Sequence, residues 1–106
     1  ELPKFHLNAG KMVESGSYIF DSSFLPANLS APIVVQDGLV TYICDQKFSD
    51  VLDGYWLINI DGTYSVRQIT RLPKGMINIR SKETYFECAF SDIEVVACIR
   101  STIVSN

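Results

Sequence analysis

Three cysteines and one histidine carry the most reactive side chains of this chain, but their spacing builds no site. Cys44, Cys88 and Cys98 show no C-x-x-C spacing, and each lies in an apolar stretch. Such positions favour small buried thiols in a reducing cytosol over metal ligands or disulfides. His6 has no second imidazole with which to share a metal ion. We therefore expect no metal site and no cofactor.

The serines and acids carry no enzyme signature of their own. A serine nucleophile needs a positioned base, and His6 lies in a stretch where no serine occupies a nucleophile elbow. The sequence also has no glycine-rich phosphate-binding motif. Two pairs of acids, Asp37 with Asp45 and Asp50 with Asp53, are interpreted as solvated turn residues.

The charge distribution argues against direct contact with DNA. The nine Lys and Arg are scattered and the net charge is −3, whereas DNA-binding domains cluster their basic residues. No apolar run approaches the roughly 20 residues that span a bilayer. The first residues lack the basic and apolar regions of a signal peptide. We expect a cytoplasmic protein that binds no membrane and that reaches DNA only through a domain outside this chain.

Short alternating runs between Gly, Asp, Asn and Pro predict a mainly β fold of short antiparallel strands and hairpins. Asp-Gly pairs favour the tight turns of hairpins because both residues tolerate positive φ. Two hairpins are predicted, one over residues 33–44 with its turn at Asp37-Gly38 and one over residues 55–72 with its turn at Asp61-Gly62. Further strands are predicted over 76–80, 84–88 and 93–104, and one helical turn over 21–26.

The last predicted strand has two apolar faces. Burial by its own domain and burial by a partner subunit both explain this composition, and the sequence leaves the two alternatives open. Strict alternation places Val95, Ala97, Ile99, Ser101 and Ile103 on the better core face, with Val96, Cys98, Arg100, Thr102 and Val104 opposite.

Four segments in the same order resemble the LexA-like peptidase fold, which is related to signal peptidases. Residues 53–69, DGYWLINIDGTYSVRQI, resemble the strand-turn-strand that carries the catalytic lysine of that family. Residues 16–26 resemble its first strand and turn, and residues 36–40 resemble the acidic-Gly turn that follows the serine segment. Residues 93–100 resemble its terminal strand.

Three further segments are similar to the C-terminal domains of temperate-phage CI repressors, in particular those of phages related to coliphage 186. They are LDGYWL at 52–57, TRLP at 70–73 and FEC at 86–88. This resemblance implies that residues 1–106 form a single C-terminal self-association domain. It also implies that an N-terminal helix-turn-helix domain, absent from this chain, binds the operator.

The sequence departs from the peptidase pattern at both catalytic positions. Arg67 stands where the lysine is expected, and arginine stays protonated and cannot act as a general base. Leu29 falls at the serine position, with Ser30 one residue away, and a slip of one residue on a strand reverses the side chain. Ala9-Gly10 resembles the cleavable bond of such repressors. We expect a scaffold that has lost its protease activity and is not an enzyme.

The resemblance implies dimerisation and higher assembly, which give cooperative operator binding and maintain lysogeny, and an antirepressor protein that relieves repression. Two alternatives stay open: a small β-barrel module that binds a partner or ligand, and a residual LexA-type autoprotease. The candidate self-association residues are Ile99, Arg100, Thr102 and Val104 of the last strand and the aromatics Tyr55, Trp56, Tyr85 and Phe86. For Trp56 and Phe86, packing in the domain's own core is the favoured alternative.

Overall fold

A computed structural model of the chain describes residues 2–19, 23 and 25–105, and most of them form β-strands. Within this part of the chain no α-helix occurs, which confirms the mainly β prediction. The helical turn predicted over 21–26 falls largely outside the described residues. The strands are β1 (Leu2–Asn8), β2 (Lys11–Tyr18), β3 (Pro32–Asp37), β4 (Val40–Asp45), β5 (Gly54–Ile60), β6 (Thr63–Arg71), β7 (Met76–Arg80), β8 (Tyr85–Ala89) and β9 (Glu94–Val104).

All nine strands belong to one mixed sheet in the order β2-β1-β3-β4-β9-β5-β6-β7-β8. Every neighbouring pair is antiparallel except β1 and β3, which run parallel. Because β9 lies between β4 and β5, it joins two groups of strands that are each built from neighbours in the sequence.

Both predicted hairpins form. Asp61 (φ 52°) and Gly62 (φ 90°) make the two-residue turn between β5 and β6, as expected for Asp-Gly. The turn between β3 and β4 lies one residue later than predicted, because Asp37 pairs with Val40 and the turn consists of Gly38 and Leu39. Gly38 supplies the positive φ of 60° at the first turn position, and the bulky Leu39 is left outside the sheet.

A third hairpin, β1–β2, was not predicted from the sequence. Its turn is Ala9-Gly10, with φ of 51° and 80°. The pair that resembles a cleavable bond therefore forms a tight turn. The tip also packs on the start of β6, where Tyr64 N–H donates to the Gly10 carbonyl oxygen at 2.7 Å.

Two core clusters lie on opposite faces of the sheet. Neighbouring residues of β5 show the change of face, since Leu57 belongs to one cluster and Ile58 to the other, and both are fully buried. The first cluster consists of Val51, Trp56, Ile58, Ile69, Ile77 and Ile79; the second consists of Ile33, Val35, Cys44, Leu57 and Ala97.

The strict alternation predicted for the last strand is wrong. The register of β9 shifts by one residue at Val96 against β5, and again at Arg100 against β4. Each extra residue is a β-bulge, which changes the face that the following side chains occupy. Val96 and Ile99 therefore pack with Ala97 on the second cluster, whereas Val95 and Cys98 pack on the first.

Candidate self-association site

The outer half of β9 has an open edge. The first half of β9, from Glu94 to Cys98, pairs with β5, whereas from Ile99 to Val104 the strand pairs only with β4. No other strand of the described chain covers that side. An open edge presents unpaired N–H and C=O groups, to which a strand of another chain can bind.

One backbone hydrogen bond shows which groups face the open side. Ser105 N–H donates to the Leu39 carbonyl oxygen at 2.8 Å, directly beyond the last pair of the β4–β9 ladder. Hydrogen-bonded and non-hydrogen-bonded pairs alternate in an antiparallel ladder. The backbone groups of Ile103 therefore point towards β4, and those of Thr102 and Val104 point to the open edge.

The side chains around this edge are exposed and largely apolar. Ile103 is 40% exposed, Val104 is 64% exposed, and Leu39 on the adjoining turn is 65% exposed. Thr102 is also exposed. We name these four residues the β9 edge patch. Leu39 was not predicted as a site residue, although a bulky apolar residue directly after a turn glycine is a signal for exposure.

Arg100 is fixed by its own chain. Its Nη2 donates to the Ala27 carbonyl oxygen at 3.0 Å, and its Nη1 lies 4.0 Å from Asp45 Oδ2. The bulge at Arg100 therefore anchors β9 to the connection before β3, and this predicted contact residue serves a structural purpose within the monomer.

Asp45 was interpreted as a solvated turn acid, and this is wrong, because the residue is 2% exposed. Its Oδ1 accepts hydrogen bonds from the N–H groups of Ala31 and Lys47, and its Oδ2 accepts one from Ser30, each at 2.9 Å. Burial alone raises the pKa of the Asp45 carboxyl. The three N–H donors and Arg100 outweigh that effect and hold the pKa below its usual value.

The aromatic candidates separate into three environments. Tyr55 is 57% exposed and lines a cavity of about 380 Å³ together with Ile99 and Arg100, beside the open edge. Trp56 packs in the core, the alternative favoured for it from the sequence, since it is 4% exposed and its Nε1 donates to the Leu52 carbonyl oxygen at 2.8 Å. The large indole fills the first cluster. Tyr85 is exposed, but it lies on β8 at the far edge of the sheet.

The positions that the resemblance matches to catalytic residues do not meet along the sheet. Arg67 pairs with Trp56, which pairs with Cys98, which in turn pairs with Asp45. Three strand intervals, about 14 Å in total, therefore separate the backbone of Arg67 from that of Asp45, whose carboxylate accepts the Ser30 N–H. Leu29 is half-buried.

The three cysteines of the described residues are free, and their environments disfavour the thiolate form. Burial raises the pKa of the Cys44 thiol to about 12, and burial also raises the pKa of Cys88 and Cys98, so the three free cysteines stay protonated. No group of His, Cys, Asp and Glu in the described part of the chain could hold a metal ion. Nor does any helix there have the length and apolar character needed to cross a membrane.

Comparison with known proteins identifies the family. The family model described as the bacteriophage CI repressor C-terminal domain matches residues 1–101. Protein ORFi in retron Ec67 of Escherichia coli is 83% identical over 106 residues, which are 100% of this chain and 54% of that protein. The Repressor protein CI of Escherichia phage 186 is 29% identical over 76 residues, 72% of this chain and 39% of that protein.

The Repressor protein CI of Haemophilus phage HP1 is 34% identical over 56 residues, which are 53% of this chain and 29% of that protein. The chain thus spans about half the length of Protein ORFi and less of the two repressors. With the family model matching nearly the whole chain, the chain belongs to the family of bacteriophage CI repressor C-terminal domains.

Proposed function

We propose that this chain is the self-association domain of a phage-type transcriptional repressor. The observation that carries the proposal is the open edge of β9, where the backbone groups of Thr102 and Val104 face away from β4 within an exposed apolar patch. Two copies pair their β9 edges antiparallel about a twofold axis, and the β9 edge patch of each copy is buried against the other.

Self-association matters because it links DNA-binding domains. In a protein about twice as long as this chain, the remaining half carries the helix-turn-helix domain that the CI family implies. A dimer raises the effective concentration of the second DNA-binding domain at its half-site, and contacts between dimers extend cooperativity to further operators. An acidic domain with scattered basic residues suits this task, since it does not compete for the operator.

The domain performs this task without cleaving itself. Arg67 cannot accept the proton of a serine, because a guanidinium remains charged at any physiological pH. The backbone of Ser30 is bound to Asp45, three strands away, which supports the loss of a serine–lysine dyad with the LexA-like scaffold retained.

Light scattering behind size exclusion, over a wide range of loading concentrations, tests the proposal. We expect the mass to rise from one chain to two chains and beyond. A mass that remains at one chain at the highest concentration would contradict self-association.

Two proline substitutions locate the contact. Thr102→Pro removes an N–H that faces the open edge, so we expect it to weaken dimerisation about tenfold or more with the fold retained. Ile103→Pro is the matched control, because it removes an N–H that faces β4 and should lower the free energy of unfolding by about 3 kcal/mol. Equal dimerisation of Thr102→Pro and the parent would exclude the β9 edge.

A further inference from the structure

The outer edge of β8 is a second open edge, at the end of the sheet. No strand within the described residues pairs with it. Ser81 N–H donates to the Thr84 carbonyl oxygen at 2.9 Å, just beyond the last pair of the β7–β8 ladder. By the alternation of antiparallel pairs, the backbone groups of Tyr85 and Glu87 then point outwards.

The chain protects only one end of this edge. Ala89 N–H, which also points outwards, donates to Asp92 Oδ2 at 3.2 Å. Tyr85 and Glu87 have no comparable cover, and Tyr85 is 67% exposed. Phe86, between them, is 40% exposed although its partner across the ladder, Ile79, is fully buried. Exposed aromatic residues on an open strand edge are typical of a surface that another chain covers.

We propose that β8 pairs antiparallel with β8 of a second copy, with the twofold axis at Phe86. This inference rests on the proposed self-association and adds a second, separate contact. The outward groups of Tyr85 then meet those of the partner's Glu87, which gives two hydrogen-bonded pairs, one on each side of the axis. Phe86 lies opposite the partner's Phe86, in the closer type of pair that favours contact between aromatic rings.

The charges select this register over its neighbours. An axis at Glu87 would place two Glu87 carboxylates directly opposite each other. An axis at Tyr85 would place Glu87 opposite the partner's Glu83, which is again an unfavourable pair of like charges. The axis at Phe86 instead places Glu87 opposite the partner's Tyr85.

Arg80 adds an attractive contact in the register centred on Phe86. Its guanidinium lies 5.3 Å from the centre of the Tyr85 ring in the same chain. This position carries the positive charge over β8 towards the outer edge, on the same face as the partner's Glu87. The β8 edge is therefore self-complementary in backbone groups, aromatic rings and charge.

The two edges belong to different strands of the sheet, so each can pair with its own partner strand. The strands β5, β6 and β7 lie between β9 and β8. A dimer formed through β9 thus leaves two β8 edges free, one on each subunit, and pairing through these edges builds assemblies larger than two chains.

Disulfide trapping tests the register. Phe86→Cys places two thiols at the axis, where the Cα atoms of a non-hydrogen-bonded pair are about 4.5 Å apart and a disulfide can form. Tyr85→Cys is the matched control, because its two copies are diagonal neighbours about 7–8 Å apart. In mild oxidant we expect Phe86→Cys to form a covalent dimer, and mass spectrometry should show that the new thiol forms the link. Neither the parent, which has three natural cysteines, nor Tyr85→Cys should form a covalent dimer.

Charge reversal tests the same contact without cysteine. Glu87→Lys places a positive charge beside the partner's Arg80, and the twofold axis repeats this repulsion on the other side. We therefore expect assembly beyond the dimer to weaken about tenfold. Arg80→Glu should weaken it similarly, and the double variant Arg80→Glu/Glu87→Lys should recover most of the loss. Circular dichroism should show the same fold for all three variants, since both side chains are exposed.

Each outcome separates the two proposals. A parent that stays at one chain in light scattering overturns both of them. A parent that associates while Phe86→Cys gives no more covalent dimer than the parent overturns the β8 contact alone. Equal trapping of Phe86→Cys and Tyr85→Cys overturns the register centred on Phe86. Trapping of Phe86→Cys with the Thr102→Pro substitution also present establishes that the β8 contact is independent of β9.

Discussion

Asp45 uses one carboxylate to connect three parts of the backbone. It binds the connection before β3, the residues after β4 and, through Arg100, the bulge of β9. Asp37 lies at the other end of the same hairpin and is exposed. Their sequence surroundings are alike, since each follows a β-rich run and precedes a polar residue or glycine. The different burial depends on contacts with the connection before β3 and with β9, which the residues next to Asp45 in the sequence do not indicate.

We expect Asp45→Asn to lower the free energy of unfolding by about 2–4 kcal/mol. The amide keeps one acceptor oxygen, but its NH2 group replaces the other, so at least one of the three backbone N–H groups faces a donor, and Arg100 loses its ion pair. Urea unfolding measures the change. Asp37→Asn is the matched control at the exposed turn and should change the stability by less than about 0.5 kcal/mol. A loss for Asp45→Asn no larger than that of the control would show that the buried network contributes little.

The pH dependence of stability should change with the same substitution. The folded state lowers the pKa of the Asp45 carboxyl, so this group binds protons more weakly in the folded chain than in the unfolded chain. Its contribution is therefore present above the ordinary Asp pKa of about 4 and is lost as the pH falls through the lowered value. Urea unfolding from pH 7 down to pH 3 should show a smaller loss for Asp45→Asn than for the parent. Parallel curves would contradict this assignment.

At the scale of elements, local sequence predicted the hairpins and long-range packing decided the rest. The turns at Gly38 and Asp61-Gly62 follow from backbone preferences of the residues themselves. The bulges at Val96 and Arg100 arise because β9 must match β5 and β4 at once, and no local pattern carries that information. The β1–β2 hairpin was not predicted because most residues of β2 are exposed, so its sequence lacks the alternation of apolar and polar residues that indicates a strand.

The hairpin tip at Gly10 gives a test of packing between elements. A Cβ at Gly10 (φ +80°) would lie 2.6 Å from Thr63 Cγ2. We expect Gly10→Ala to cost about 2–3 kcal/mol in urea unfolding, through both backbone strain and this clash. Gly62→Ala, at φ +90° with no atom within 4 Å, should cost only about 1 kcal/mol. Adding Thr63→Ala to Gly10→Ala should recover about 1 kcal/mol; no recovery would place the cost in the backbone alone.

At the scale of the whole molecule, the sheet buries opposite faces in its two halves. The central strands β5 and β9 contribute side chains to the cores on both faces, so they are apolar on both faces. The WLI run of β5 and the sequence of β9 show this composition. The sequence could predict this composition, but it left open whether the second face is covered by the domain or by a partner. In the structure the first half of β9 is covered within the domain, and the outer half carries the exposed β9 edge patch, where we propose that a second copy binds.

Leu57→Ala and Ile58→Ala should each lower the free energy of unfolding by about 2–4 kcal/mol, although the residues are adjacent in one strand. Each leaves a cavity in a different core cluster. Val13→Ala, at a residue 48% exposed, is the control and should cost less than about 0.5 kcal/mol. A loss below 1 kcal/mol for either core variant in urea unfolding would mean that one face is not a tightly packed core.

The central position of β9 also determines the order in which the molecule can assemble. It is the last of the nine strands in sequence, and its pairs with β4 join residues about sixty positions apart. While the chain is being synthesised, β4 and β5 therefore leave the ribosome with the edges that β9 will occupy still bare. Contacts of such long range slow folding, and exposed edges favour aggregation in the interval. The strand that joins the two half-sheets thus leaves the nascent chain most vulnerable until β9 itself has been synthesised.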